Sequence, residues 1–150
     1  MGREFECITI EKDESTSAIL GHAGFIKTVE DLYEAMLCSV PGVKFGVAFA
    51  EASGPCLVRS EGNDEGLRAQ AERNILKIAA GHTFLILFRE AYPINVINNV
   101  TNVSEVGYDL LRHQQPRASY RGKGRDQPLG HRYCRWSLIA CNRKQRRQAK

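Results

Sequence analysis

His82 stands directly after Gly81, which reads as a helix end, and directly before TFLILF, part of the most apolar run in the chain. Imidazole titrates near neutrality, so a histidine at the mouth of a buried strand can act as a base or accept a phosphoryl group. The plainer alternative is a histidine whose hydrogen bonds are satisfied at a strand end. A second polar set, Glu51, Ser53, Gly54 and Arg59, brackets the turn in AEASGPCLVR. Ligand clefts of α/β proteins form at strand ends, although a polar hairpin would read the same way. Lys27 and Thr28 open the segment TVEDLYEAML. There, unpaired backbone N–H groups and a cation would suit a phosphate, or simply an N-cap beside a surface lysine. Pro93 begins PINVINNV, and Asn95, Asn98 and Asn99 crowd its first turns although asparagine is a poor helix former.

These residues need elements to hold them. EFECITI over 4–10 alternates and ends β-branched, and SAILG over 17–21 is a second candidate strand. Residues 28–40 form a helix, with Thr28 expected at the N-cap, Asp31 three residues on, and Val29, Leu32, Tyr33, Met36, Leu37 and Val40 on one apolar face. Pro41 and Gly42 stop it. KFGVAFAEA puts Phe45, Val47 and Phe49 on one side and Gly46, Ala48 and Ala50 on the other, so a close neighbour is expected over the small residues. CLVRS is another short strand. Asn63 is the expected cap of a second helix carrying Leu67, Ala71, Ile75 and Ile78, with Gly81 as its stop. HTFLILF reads as a central strand covered on both faces, and Pro93 as the first residue of a third helix. The order β-β-α-β-β-α-β-α predicts an α/β fold, a mixed β-sheet with packed helices in a single domain.

The 150 residues suffice for one domain with a hydrophobic core. No apolar run reaches membrane-spanning length and the first residues are not of signal-peptide type, so a cytoplasmic location is expected and a membrane partner is not. The five cysteines are irregularly spaced without a CxxC pair, which fits free thiols and leaves no metal-ligand set. The net charge of +4 is uneven: residues 107–150 hold twelve of the 21 Lys and Arg and two of the 17 Asp and Glu. Such asymmetry ordinarily suggests a basic nucleic-acid-binding end.

The stretches FIKTVEDLYEAMLCSVPGVKFGVAFAEASGPCLVRSEGNDE and AGHTFLILFREAYPINVINNVTNVSEV, with their spacing, resemble the adenosine-specific kinase family from about Ile8 to Val106. The resemblance implies a cytoplasmic, homo-oligomeric α/β domain that binds adenosine or AMP and links phosphoryl transfer to a histidine. It implies ATP or another phosphoryl donor, accompanied by Mg²⁺. On the matching positions, the expected catalytic residues are His82, Lys27 and Glu51. The expected nucleotide-binding residues are Thr28, Ser53, Gly54, Arg59, Pro93 and Asn95. One departure lies in Gly21-His22-Ala23-Gly24-Phe25: the family places a histidine beside this phenylalanine, where Gly24 stands here. His22 lies two places earlier and reads by itself as a loop residue.

The other departure begins after Val106, where helical and strand periodicity stops. Codons chosen within Tyr108 to Leu138 and read one nucleotide later allow YCATSNPAQVIVAKDETNPWATGIVDGL, which has the turn and two β-branched strands of the family. Residues 1–106 therefore read as an incomplete kinase-like domain and 107–150 as a basic, disordered product of a shifted reading frame. Loss of two strands would expose sheet edges and an apolar face, with poor solubility or lost nucleotide binding as the expected result. A non-catalytic AMP or adenosine sensor is the alternative function. RNA binding through the tail ranks last, because its aromatic residues are few and unpatterned.

Overall fold

Small residues on one face of a strand let a helix approach closely, and this sets the layers of the protein. In a computed structural model, which describes residues 4–24, 27–107, 111–113 and 118–123, the elements run β1 (Glu4–Thr9), β2 (Ser17–His22), α1 (Thr28–Leu37), β3 (Lys44–Ala50), β4 (Val58–Gly62), α2 (Glu65–Ile78), β5 (Thr83–Arg89), α3 (Pro93–Thr101), β6 (Leu111–His113) and β7 (Ala118–Lys123). Five strands form one sheet in the order β4-β3-β5-β2-β6, and β1 pairs with β7 in a second, two-stranded sheet. The class is the α/β fold expected. The sheet is not the mixed one expected: among the described residues every ladder is antiparallel, because β5 lies between β2 and β3, which run the same way.

β5 is central, with its first six residues buried. It pairs with β3 from Lys44↔Arg89 to Phe49↔Phe84 and with β2 from Ser17↔Phe88 to His22↔Thr83. β2 and β3 therefore point the same way, and α1 links them by starting at the sheet end where β2 stops.

Two cores flank the sheet. Phe45, Val47, Phe49, Phe84, Ile86 and Phe88 pack against Val29, Leu32 and Met36 of α1 and Val96, Ile97 and Val100 of α3. On the other face Ala48, Ala50, Leu85 and Leu87 meet Leu67, Ala71, Ile75 and Ile78 of α2, with Ile8 and Ile10 alongside. The close neighbour expected over the small residues is α2: a Cβ on Gly46 would lie 2.2 Å from the Arg68 backbone nitrogen.

The element ends differ from expectation in instructive ways. Lys27 holds the α1 N-cap position without a side-chain cap, and Thr28 is the first helical residue, fully buried. Leu37 turns out to solvent at 46% exposure, because α1 ends there and the neighbouring sheet no longer covers it. Asp64, not Asn63, caps α2, its Oδ1 accepting from the Leu67 N–H at 2.9 Å. Asn63 instead braces β3, accepting from the Phe45 N–H at 2.8 Å and donating to the Val43 carbonyl at 2.7 Å. The left-handed stop of α2 is Ala79 (φ 50°), whereas Gly81 is required by packing: a Cβ there would stand 2.7 Å from that of Ala52.

Beyond Val106, where no regular element was expected, β6 pairs with β2 over three residues and β7 with β1 over six, so β1 and part of the outer side of β2 have partners. An edge strand offers backbone donors and acceptors to any segment laid beside it, without needing an alternating side-chain pattern. The rest of the segment read as a basic tail lies outside the described residues.

Asn74, 1% exposed on α2, ties down the chain leaving β1. Its Oδ1 accepts from the Glu11 N–H at 2.7 Å, and its Nδ2 donates to the carbonyls of Glu11 and Gln70 at 2.8 and 2.9 Å. Asn74→Ala strips these partners and is expected to lower stability by about 1–3 kcal/mol in urea titration. Gly46→Ala, by pushing α2 off the sheet, is expected to cost a similar ~1–3 kcal/mol.

Candidate functional site

The sheet end where β2 and β3 finish collects most of the polar residues singled out above. His82 precedes β5 and is tied to both neighbouring strands: its N–H donates to the Ala50 carbonyl at 2.7 Å and its carbonyl accepts from the Ala23 N–H at 2.8 Å. Its backbone is left-handed, φ 63°, a conformation costly for a residue with a Cβ and one that clusters at functional sites. The ring is half-buried, 6.5 Å from the Phe49 ring in an edge-on arrangement. Its Nδ1 is buried and has no hydrogen-bond partner.

Glu51 follows β3 directly and is 9% exposed. Its Oε1 accepts from Nε of Arg59, on β4, at 2.5 Å, while its N–H donates to the Leu57 carbonyl at 2.9 Å. Arg59 pairs across the ladder with Phe49, so both members of this ion pair stand beside the His82 end of the sheet. Ser53 and Gly54 lie in the exposed turn between them, closed by the Cys56 N–H on the Ser53 carbonyl at 3.2 Å, with Gly54 at φ 62°. α1 begins over the same end. Lys27 is exposed there, 3.6 Å from Asp31, and Thr28 is beneath it in the core.

Pro93 and Asn95 are not brought to this cluster. They open α3, which follows the far end of β5, and the seven residues of that strand span roughly 20 Å. Asn95 has a helix-start role, its Oδ1 accepting from the Tyr92 N–H at 3.0 Å. The neighbouring asparagine Asn99 donates to Ser39 Oγ at 2.9 Å and fastens α3 to the end of α1. Asn95 and Asn99 thus serve helix geometry and packing.

Two residues given no site role from the sequence lie at the same end of the sheet. His22 is the last residue of β2, not a loop residue, and its ring centroid lies 5.5 Å from that of His82. The ladder register His22↔Thr83 brings the two histidines to the same end of the sheet and the left-handed backbone of His82 turns its ring toward His22, which is visible only once the pairing of β2 with β5 is known. Glu105 follows α3, and its carbonyl accepts from the Gly24 N–H at 2.8 Å. Its Oε2 is buried without a partner, and nothing in its sequence context marks it. Among the described residues there is no group of three or more His, Cys, Asp or Glu placed to hold a metal, and no helix long and apolar enough to cross a membrane.

An antiparallel sheet between two helical layers, with histidines, an acid–guanidinium pair and a helix start at one end, defines an α/β domain with a polar cluster at its strand ends. Residues 8–109, more than half of the chain, match the family described as adenosine specific kinase, and the chain belongs to that family. The crystal structure of the PH1918 protein from Pyrococcus horikoshii OT3 is similar, with a TM-score of 0.76 and 36% sequence identity over 98% of this chain and 91% of that one. Comparison with curated proteins gives no match. Family membership supports a kinase-like function directed at a nucleoside.

The Glu51–Arg59 pair can be tested by stability. Arg59→Met should leave a buried carboxylate without its donor and cost about 1–3 kcal/mol, and adding Glu51→Gln should recover part of that loss in a double-mutant cycle.

Proposed function

We propose that the protein is a phosphotransferase that acts on adenosine, takes phosphoryl from a triphosphate donor such as ATP, and passes it through His82. The observation that carries this reading is the placement of His82. A half-buried imidazole is held in a left-handed backbone where β3, β5 and β2 meet, beside Glu51 and Arg59 and below the start of α1. With Nδ1 shut off from solvent, Nε2 is left as the nitrogen to react. In this reading Nε2 attacks the terminal phosphorus, and the N–P bond forms as the bond to the diphosphate leaving group breaks. The 5′-hydroxyl oxygen of adenosine then takes the phosphoryl from nitrogen, its proton passing to solvent.

Lys27 and Arg59 offset the phosphate charge, and backbone N–H groups at the opening of α1, Thr28 among them, orient it. Ser53 and Gly54 form the exposed rim. Pro93 and Asn95 have no part in the site within one chain; in the homo-oligomer that belongs to this reading, they and the exposed Tyr92 and Ile94 would face other copies. Glu51 is engaged by Arg59 and stands in no three-ligand group, so Mg²⁺ would be carried by the donor's phosphates, where it supplies charge neutralisation, and not by a protein cage.

The test is transfer from γ-labelled ATP. Label is expected in AMP and, transiently, as an acid-labile adduct on the protein, with His82→Ala lowering both by at least about 100-fold. Undiminished transfer in that variant would remove the histidine step. Binding of adenosine without any transfer would make the protein a sensor instead.

We further propose that residues beyond about 107 come from a shifted frame. The end of the family match at residue 109 supports this. The gene around codons 105 to 108 is expected to show one base gained or lost relative to its kin. A tail shared by relatives in an intact frame would dismiss the idea.

A further inference from the structure

Two side-chain atoms among the described residues are buried without a hydrogen-bond partner, His82 Nδ1 and Glu105 Oε2. Both belong to segments that clasp the same three residues at the end of β2. The Ala23 N–H donates to the His82 carbonyl and the Gly24 N–H to the Glu105 carbonyl, each at 2.8 Å. The Gly107 N–H donates to the His22 carbonyl at 2.7 Å, and Ala23 bridges Val106. His82 and Glu105 thus flank the strand end on opposite sides, their backbones about 10 Å apart at two strand spacings.

The Glu105 backbone does the fastening, and for that any residue would serve. The carboxylate itself takes part in none of the ion pairs among the described residues. An acceptor kept from water and given no donor is a liability unless a donor arrives with a ligand.

The chemistry narrows what arrives. A carboxylate would repel phosphate, and no three-ligand group is present to share a metal ion. Neutral donors remain, and a pair of adjacent hydroxyls suits the two oxygens of an ionised carboxyl group, which only accepts. Resting on the adenosine reading above, we infer that Glu105 receives the ribose hydroxyls of the nucleoside. The ligand then lies across the end of β2, its 5′ carbon toward His82 and its diol toward Glu105, with the phosphates on the side of Lys27 and Arg59. Glu105 is a specificity residue: it selects a ribose over a deoxyribose, because a site built to bind a hydroxyl discriminates against the analogue that lacks it.

Equilibrium binding by the full chain of adenosine, 2′-deoxyadenosine and 3′-deoxyadenosine tests this, in the wild type, Glu105→Ala and Glu105→Gln. The wild type is expected to favour adenosine over at least one deoxy analogue by about tenfold or more. Glu105→Ala should reduce that preference to about twofold or less without lowering the melting temperature, since it removes an unpartnered buried group. Glu105→Gln keeps the volume and loses the charge; it should narrow the preference as well, and it gives the readout if the alanine variant does not fold. A wild type that binds adenosine with a preference surviving both substitutions, or variants that weaken all three ligands equally, would overturn the role of Glu105 alone. A wild type that binds no adenosine would overturn the parent reading and this one together.

Discussion

One peptide position joins the strands on which the site depends. The N–H of residue 82 bonds to β3 through Ala50, and its carbonyl receives the N–H of Ala23 just past β2. Because these bonds point to opposite neighbours, the residue is fixed from two sides, and its left-handed backbone aims the ring along a path that an extended strand would not give. Everything polar nearby is placed relative to that fixed ring: His22 by the β2–β5 register, Glu51 by the end of β3, and Glu105 through the residue that follows Ala23. Strain of this kind persists only where surrounding packing over-determines it. Here the two backbone bonds and the Phe49 ring hold the residue, and the tight contact of Gly81 with Ala52 closes the other side.

The electrostatic character of this sheet end follows from which charges are already committed. Arg59 is bound to a nearly buried carboxylate yet remains 47% exposed, so its outer face can still meet an anion. Lys27 is more exposed still, and Asp31 holds it only loosely at 3.6 Å. The cationic side is therefore accessible and adjustable, whereas the acidic groups, Glu51 and the Oε2 of Glu105, are withdrawn from solvent. A ligand with an anionic end and a hydroxyl-bearing middle matches that division.

Much of the fold was legible because burial writes periodicity into the chain. The alternation of Phe45, Val47 and Phe49 with Gly46, Ala48 and Ala50 announced two unequal faces, and TFLILF announced the central strand. Helix ends were less legible: a cap depends on one dihedral angle, and Asn63, Asp64 and Glu65 are all plausible by composition, so only the Asp64 bond to Leu67 decides. Within the site, His82, Glu51 and Arg59 were visible as polar residues in places with no structural need for them. His22 and Glu105 were not, because their relevance arises from pairings between distant segments. Pro93 and Asn95 are distinctive in the local sequence, and within one chain that sequence encodes how α3 starts at the far end of β5.

The ladder register also governs when the protein can take shape during its synthesis. Ser17 pairs with Phe88 and Lys44 with Arg89, so neither β2 nor β3 has its main partner until the centre of the sheet has been made. Up to that point only the β3–β4 hairpin and the helices can form from local contacts. Such long-range pairing slows folding and leaves apolar strands waiting. A nascent chain halted before Thr83 would carry the phenylalanines of β3 without the strand they pair with, which makes the emergence of β5 from the ribosome the event that commits the domain to its native form.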